Sequence, residues 1–269
     1  MVHKITLWLC AAVWGRICLF ADIAHVSDMR NLGIYLDKAD ASTLVLFDVD
    51  DVLIVPTQAY CFKHPIRKKY VRILQQKYCP SHVKYLFSYV FKKRTVRLVN
   101  KEITFLMEKL KKRRIPTSAL TAWWTGPFGT IPHMEEIRLK ELKDKGICFK
   151  DISPFQKNTQ WDSLKTTDGI PMVKDGIIFT ALQDKGFILK EVLKVYALKM
   201  KKILFIDDSL KQIYAVQKAC KDLHLSFTGI HYTESKTIAP HACEEKKEKK
   251  RFDVLENHHI WLLDKAMDT

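Results

Sequence analysis

Two short apolar runs, each ending in acids, constrain this chain most. Leu44-Val45-Leu46-Phe47 leads directly into Asp48-Val49-Asp50-Asp51, and Ile203-Leu204-Phe205-Ile206 leads into Asp207-Asp208-Ser209. Unbroken apolar runs of this length read as strands buried on both faces, the pattern of a parallel sheet. Between and after them the spacing predicts helices. Ile103, Leu106, Met107 and Leu110 share one face over residues 101–114, and residues 135–145 are closed by Gly146. Another helix is expected at 188–198. A last one follows Ser209, with Leu210, Ile213, Val216, Cys220 and Leu223 at helical spacing. Further extended segments are expected at 118–120, 148–149, 172–173, 177–179 and 227–232, with Lys174-Asp175-Gly176 as a turn. Strands alternating with helices imply right-handed crossovers and an α/β, doubly wound, Rossmann-like parallel sheet. Such sheets bind ligands beyond the carboxyl ends of their strands. That is where Asp48 and Asp207 fall.

Carboxylates that follow a buried strand are costly unless a cation meets them. Asp48 and Asp50 are two positions apart, so both can enter one site. One can attack phosphorus while the other moves protons. Two acidic clusters at neighbouring strand ends repel each other without a bound cation, and all-oxygen ligands favour magnesium. Either cluster alone is equally a helix cap or an exposed turn; the pair, each after an apolar strand, points to a site.

These residues resemble the motifs of the haloacid dehalogenase-like (HAD-like) hydrolase superfamily. The stretch LVLFDVDDVLIVP is similar to its first motif, an apolar strand followed by Asp-x-Asp-x-Thr/Val, with Val52 in the last slot. It is also similar to the corresponding stretch of bacterial secreted acid phosphatases. Ala119-Leu120-Thr121 fits the second motif, Lys185-Gly186 before a helix fits the third, and Asp207-Asp208 fits the fourth. The four occur in order over residues 43–210, and the overall layout resembles an uncharacterised group of exported bacterial members. The resemblance implies a magnesium-dependent phosphatase acting through an aspartyl phosphate. Asp48 would be the nucleophile and Asp50 the acid and base. Thr121 would donate to a phosphoryl oxygen, and Lys185 would offset negative charge, with Lys190 and Lys174 as competing lysines. Magnesium would lie among Asp48, the Asp50 carbonyl and Asp207. Spacing leaves open whether Asp208 shares or replaces the role of Asp207.

The chain carries a formal charge of +15. Residues 54–115 hold 17 Lys or Arg against two acids, Glu102 and Glu108, and no glycine. Superfamily members often carry a helical cap between the first two motifs, so 54–115 is expected as a basic, mostly helical cap. Residues 22–53 and 116–269 then form the catalytic core. A basic cap over a phosphate site attracts a small anionic, phosphorylated substrate. Aromatic residues among the bases, including Tyr60, Phe62, Tyr85 and Phe91, are expected to form the core of the cap. Basic residues interleaved with aromatics also suit nucleic acid or an anionic membrane surface, the less favoured reading. A catalytically silent protein holding an anionic partner through the insert is the alternative from another class, and a phosphotransferase or phosphomutase the alternative from the same chemistry. Lys4, the apolar run 5–14 and Ala21 read as an export signal over residues 1–21, which implies a periplasmic or secreted protein. Without cleavage, the run is a buried first helix of a cytoplasmic protein. The run 244–251 is expected as a solvated loop or helix face, followed by a docking helix over 252–267. Seven scattered cysteines without a CxxC pair argue against structural zinc and define no disulfide framework.

Overall fold

A computed structural model describes residues 21–238 and 243–267. The expected export signal lies outside the described residues, apart from Ala21. The chain there enters a strand, β1 (Ala21–Val26), followed by α1 (Met29–Asp37), an edge strand and helix that the sequence patterns left unread. The first acid-tipped run is β2 (Thr43–Phe47), buried throughout. A two-stranded antiparallel hairpin, β3 (Ile54–Pro56) and β4 (Val96–Leu98), then brackets α2 (Pro65–Lys77) and α3 (Pro80–Lys93). The chain returns through α4 (Glu102–Lys112) to β5 (Thr117–Thr121) and α5 (Met134–Lys143). Three short strands follow: β6 (Thr159–Gln160), β7 (Met172–Lys174) and β8 (Ile177–Phe179). The last core elements are α6 (Lys185–Tyr196), β9 (Lys202–Asp207), α7 (Leu210–Asp222) and β10 (Ser226–Tyr232), and α8 (Glu245–His258) comes near the end.

The main sheet has eight strands in the order β1-β10-β9-β2-β5-β8-β7-β6. Pairing is parallel from β1 to β8, and β7 and β6 add an antiparallel edge. Alternate residues of β2 divide between two cores. Val45 and Phe47 join the face covered by α1, α4 and α5, while Leu44 and Leu46 join the face covered by α6 and α7. Burial on both faces explains the unbroken apolar run, and each fully buried side chain such as Phe47 or Phe205 contributes about 1.5–3 kcal/mol. The architecture is α/β with helices on both faces of a mostly parallel sheet.

The segment expected as one basic insert divides in two. The hairpin β3–β4 encloses α2 and α3, whereas α4 lies against α1 on the sheet, with Ile103, Leu106, Met107 and Leu110 buried. Arg113 closes this packing by donating to the carbonyls of Leu36 and Ala39. Its apolar stripe makes α4 the crossover between neighbouring strands β2 and β5.

Three local expectations are corrected. Residues 148–149 form no strand; Phe149 accepts from the backbone N–H groups of Ile152 and Ser153 in a turn. The run 244–251 is not wholly solvated. It opens α8, and its Glu248 and Arg251 are buried. Glu248 receives Arg67 of α2 at 2.7 Å and Arg251 at 3.0 Å, while Arg251 also reaches Asp264 at 2.6 Å. The tail 252–267 is not one helix, since α8 ends at His258 with His259 in the left-handed region. Tyr70 stacks on Phe252 and Phe62 meets Trp261, so the C-terminal segment and the α2–α3 pair share one packed unit. Among the described residues no helix is long and apolar enough to cross a membrane.

Candidate active site

Parallel pairing brings the two acid-tipped strands side by side. β2 lies between β9 and β5, and the backbone N–H of Asp48 donates to the Ile206 carbonyl at 2.8 Å. Asp48, Asp207 and Thr121 therefore end three adjacent strands. Lys185 arrives from the side. Asp184 caps α6 by accepting from the Phe187 N–H at 2.8 Å, which sets Lys185 in the first turn. Gly186 follows it, and any Cβ there would sit 2.2 Å from the Ala215 carbonyl oxygen, so only glycine lets α6 close on α7 at this point. The buried Lys185 ammonium bridges Asp48 and Asp207, 2.7 Å from each. Of the competing lysines, Lys190 pairs with Asp222 and Lys174 with Glu136, away from Asp48.

Asp48, Asp207 and Asp208 can offer oxygens that all lie within 4.8 Å of one another. Asp207 also accepts from the Ser209 N–H at 2.8 Å. Burial pushes the Asp48 carboxyl up despite Lys185. It pushes Asp207 up to about 7, helped by the charge of Asp48, and Asp208 up to about 6. Burial opposes the Lys185 ammonium, but Asp48 and Asp207 outweigh it and hold its pKa high. One buried cation thus faces three acids, a deficit of positive charge that a divalent cation with oxygen ligands fits. The hydroxyl of Thr121 is fully buried and has no hydrogen-bond partner among the described residues. An orphaned donor of this kind is costly and is met when an acceptor binds beside it.

Asp50 is positioned differently. Its carboxylate accepts from Arg138 of α5 at 2.6 Å and from Arg94, just after α3, at 3.2 Å. Glu141 receives the other branch of Arg94 at 2.8 Å, and the Arg138 guanidinium lies 3.8 Å from the centre of the Trp123 ring. Burial works to raise the Asp50 pKa, yet the two arginines prevail and hold it below the ordinary carboxylate range. This favours a proton acceptor over a proton donor. Asp51 adopts a left-handed backbone (φ 64°) and pairs with Lys63, which also approaches Asp208 at 3.7 Å. Arg94, Arg138 and Lys63 were not singled out from sequence. They stand among many bases, and Arg94 and Arg138 lie 44 and 88 positions from Asp50.

A cavity of about 780 Å³ opens from Asp48, Asp50 and Asp208 toward the insert. Lys63, Arg67, Arg94, Arg97 and Lys236 supply its cations, and Phe62, Phe91 and Trp124 stand in its wall.

No curated protein and no solved structure matches the chain. One family model does, over residues 23–268, which takes in the whole sheet after Asp22, the strand-end cluster and the insert. The chain belongs to the family described as Protein of unknown function (DUF2608).

Proposed function

We propose that this chain is a magnesium-dependent phosphohydrolase of the HAD-like type, cleaving a phosphate monoester through an aspartyl phosphate on Asp48. The observation that carries this reading is the buried Lys185 ammonium held between Asp48 and Asp207 at the carboxyl ends of adjacent parallel strands. The unpartnered Thr121 hydroxyl at the next strand end supports it.

In this reading an Asp48 carboxylate oxygen attacks phosphorus, the phosphorus–ester oxygen bond breaks, and the alcohol oxygen leaves with the electron pair and takes a proton from Asp50. Lys185 and Thr121 compensate charge on the phosphoryl oxygens. Water then attacks the phosphorus of the Asp48 acyl phosphate; Asp50 takes its proton, and Asp48 is regenerated as inorganic phosphate departs. Asp48, Asp207, Asp208 and the Asp50 carbonyl would hold magnesium, which when bound neutralises the acids and polarises the phosphoryl group. Because Arg94 and Arg138 favour the ionised form of Asp50, the protonated form that an alkyl alcohol requires is the minor one, and an ester whose alcohol leaves without a proton reacts fastest. That makes p-nitrophenyl phosphate the first substrate to try.

The silent-binding alternative draws less support. Several insert bases already meet acids of α8, as Arg67 meets Glu248, Lys69 meets Glu245 and Lys77 meets Glu256. The test is turnover of p-nitrophenyl phosphate with magnesium and with EDTA. Acid-quenched mass spectrometry then follows an adduct of about 80 Da, one phosphoryl group on a carboxylate. Wild-type protein is expected to carry the adduct and to lose activity in EDTA. Asp48→Asn protein is expected to carry none; an adduct on that variant, or full activity in EDTA, defeats the proposal.

A further inference from the structure

The alcohol half of the substrate can be inferred from what lies beyond the strand-end acids. A second cavity of about 570 Å³ adjoins the first, and the two share Phe62, Phe91 and Trp124. It lies between α2, α3 and the loop after β5, lined by Val71, Val83, Phe87, Phe128 and Leu182. The rings of Phe91, Trp124 and Phe128 pack edge-on at 5.3–5.7 Å, so the shared wall is continuous aromatic surface.

Charge is graded along this path. The inner cavity carries Lys63, Arg67, Arg94, Arg97 and Lys236, whereas the outer one carries a single base, Lys84, already 3.1 Å from Asp168. The loop that forms the wall is pressed on α3. A Cβ on Gly129, whose φ is +58°, would fall 2.5 Å from the Lys84 carbonyl oxygen. Leu182 stands exposed at the rim with a left-handed backbone (φ 60°), directly after Ala181 with φ 50°. Leucine is disfavoured in that conformation, and an exposed apolar side chain gains nothing from water. Both costs are offset if an apolar ligand lies against it.

Resting on the phosphohydrolase reading, we propose that the substrate is a phosphate monoester of a long apolar alcohol. Its phosphate lies at Asp48, Thr121 and Lys185, and its chain runs over Phe62, Phe91 and Trp124 into the cavity between α2 and α3. The inner cavity alone is already of a size that encloses a drug-sized ligand. A sugar or glycerol phosphate would leave the outer cavity empty and the apolar wall of Phe62, Phe91 and Trp124 uncovered. An alkyl or isoprenyl chain meets those walls with no polar group to satisfy.

The experiment titrates the full chain, in magnesium, with n-alkylphosphonates from ethyl to decyl, reading tryptophan fluorescence. These probes carry the dianionic head and cannot be hydrolysed. Affinity is expected to rise roughly fourfold for each methylene that becomes buried, until the outer cavity is filled. Two variants locate the chain. Val83→Trp fills the outer cavity and should abolish most of the gain of decyl over ethyl. Leu182→Asn suits the left-handed backbone, so thermal stability should hold or rise, while the decyl-to-ethyl ratio falls about tenfold. Affinity independent of chain length overturns the proposal, as does an unchanged ratio in both variants. Turnover of p-nitrophenyl phosphate is measured in parallel. Turnover with a flat chain-length series defeats only the long-chain inference, and a steep series without turnover defeats only the hydrolase reading.

Discussion

At the strand ends, three acids that two motifs supply lie together, with the buried Lys185 between Asp48 and Asp207 and the exposed Lys63 3.7 Å from Asp208. In the unit of α2, α3 and α8, Arg67 is buried against Glu248, 181 positions away, and Arg251 completes the cluster with Asp264. The second cluster is balanced, two guanidiniums against two carboxylates. The first is short of positive charge, and a hydroxyl beside it lacks a partner. Balanced buried charge holds two segments in register, while unbalanced buried charge marks a candidate binding site.

The comparison breaks most visibly at Lys185. Lys185→Met should lower p-nitrophenyl phosphate turnover about 10²–10³-fold, as expected for a group that stabilises transferred charge. It leaves Asp48 and Asp207 buried without their cation, which costs on the order of 3–5 kcal/mol when both are ionised. Denaturant titrations at pH 8 and pH 5 separate the two effects, because protonation relieves the variant at the lower pH. A loss of stability equal at both would mean Lys185 is not pairing with the acids.

Glu248→Ala tests the balanced cluster. It removes the carboxylate that Arg67 and Arg251 share and leaves Arg251 with Asp264, so unfolding free energy should fall by about 3–5 kcal/mol, with no dependence on magnesium. The folded variant should still form the Asp48 adduct. If magnesium rescued its stability, the two clusters would be coupled and the contrast would fail.

pH sharpens the same contrast. Folded, metal-free protein keeps a proton on Asp207 up to about pH 7, whereas the unfolded chain releases it near the ordinary value of 3.8. Between these limits the folded state binds more protons, so the stability of metal-free protein should fall as pH rises from about 4 to about 7. Magnesium competes with that proton, and its affinity should drop about tenfold per pH unit just below 7, more steeply once Asp208 protonates near 6. Calorimetric titration at pH 6 and 8 reads this directly; equal affinities would exclude Asp207 as a ligand.

The smallest effect belongs to the exposed pairs of the insert. Lys69 and Glu245 meet at 2.7 Å, with more than half of the lysine side chain in solvent. Lys69→Ala should leave the thermal midpoint unchanged. A clear drop would mean that surface pairs, and not the Arg67–Glu248 cluster, fasten α8 to α2.

Legibility followed sequence distance. Asp48, Asp207 and Lys185 could be proposed because each stands next to its own strand or helix signal, and parallel pairing then brings those element ends together. The sheet itself could be read for the same reason, from apolar runs such as 44–47 and 203–206. Asp50 could be named but its surroundings could not, since Arg94 and Arg138 come from α3's end and from α5 and look like any other surface base in the chain. The run 244–251 misled for the converse reason. Charge density there predicts solvent, and only the docking of α8 on α2 buries Glu248 and Arg251.

The sequence by itself determined the alternation of buried strands and amphipathic helices and the acids at two strand ends, because both are set by residues a few positions apart. Tertiary structure alone decided which cations meet which acids, that α4 belongs to the sheet while α2 and α3 pack with α8, and that two aromatic-walled cavities join beyond Asp48. Those outcomes depend on side chains tens to hundreds of positions apart, and burial, which turns a weak surface pair into a strong determinant, exists only once the elements have packed.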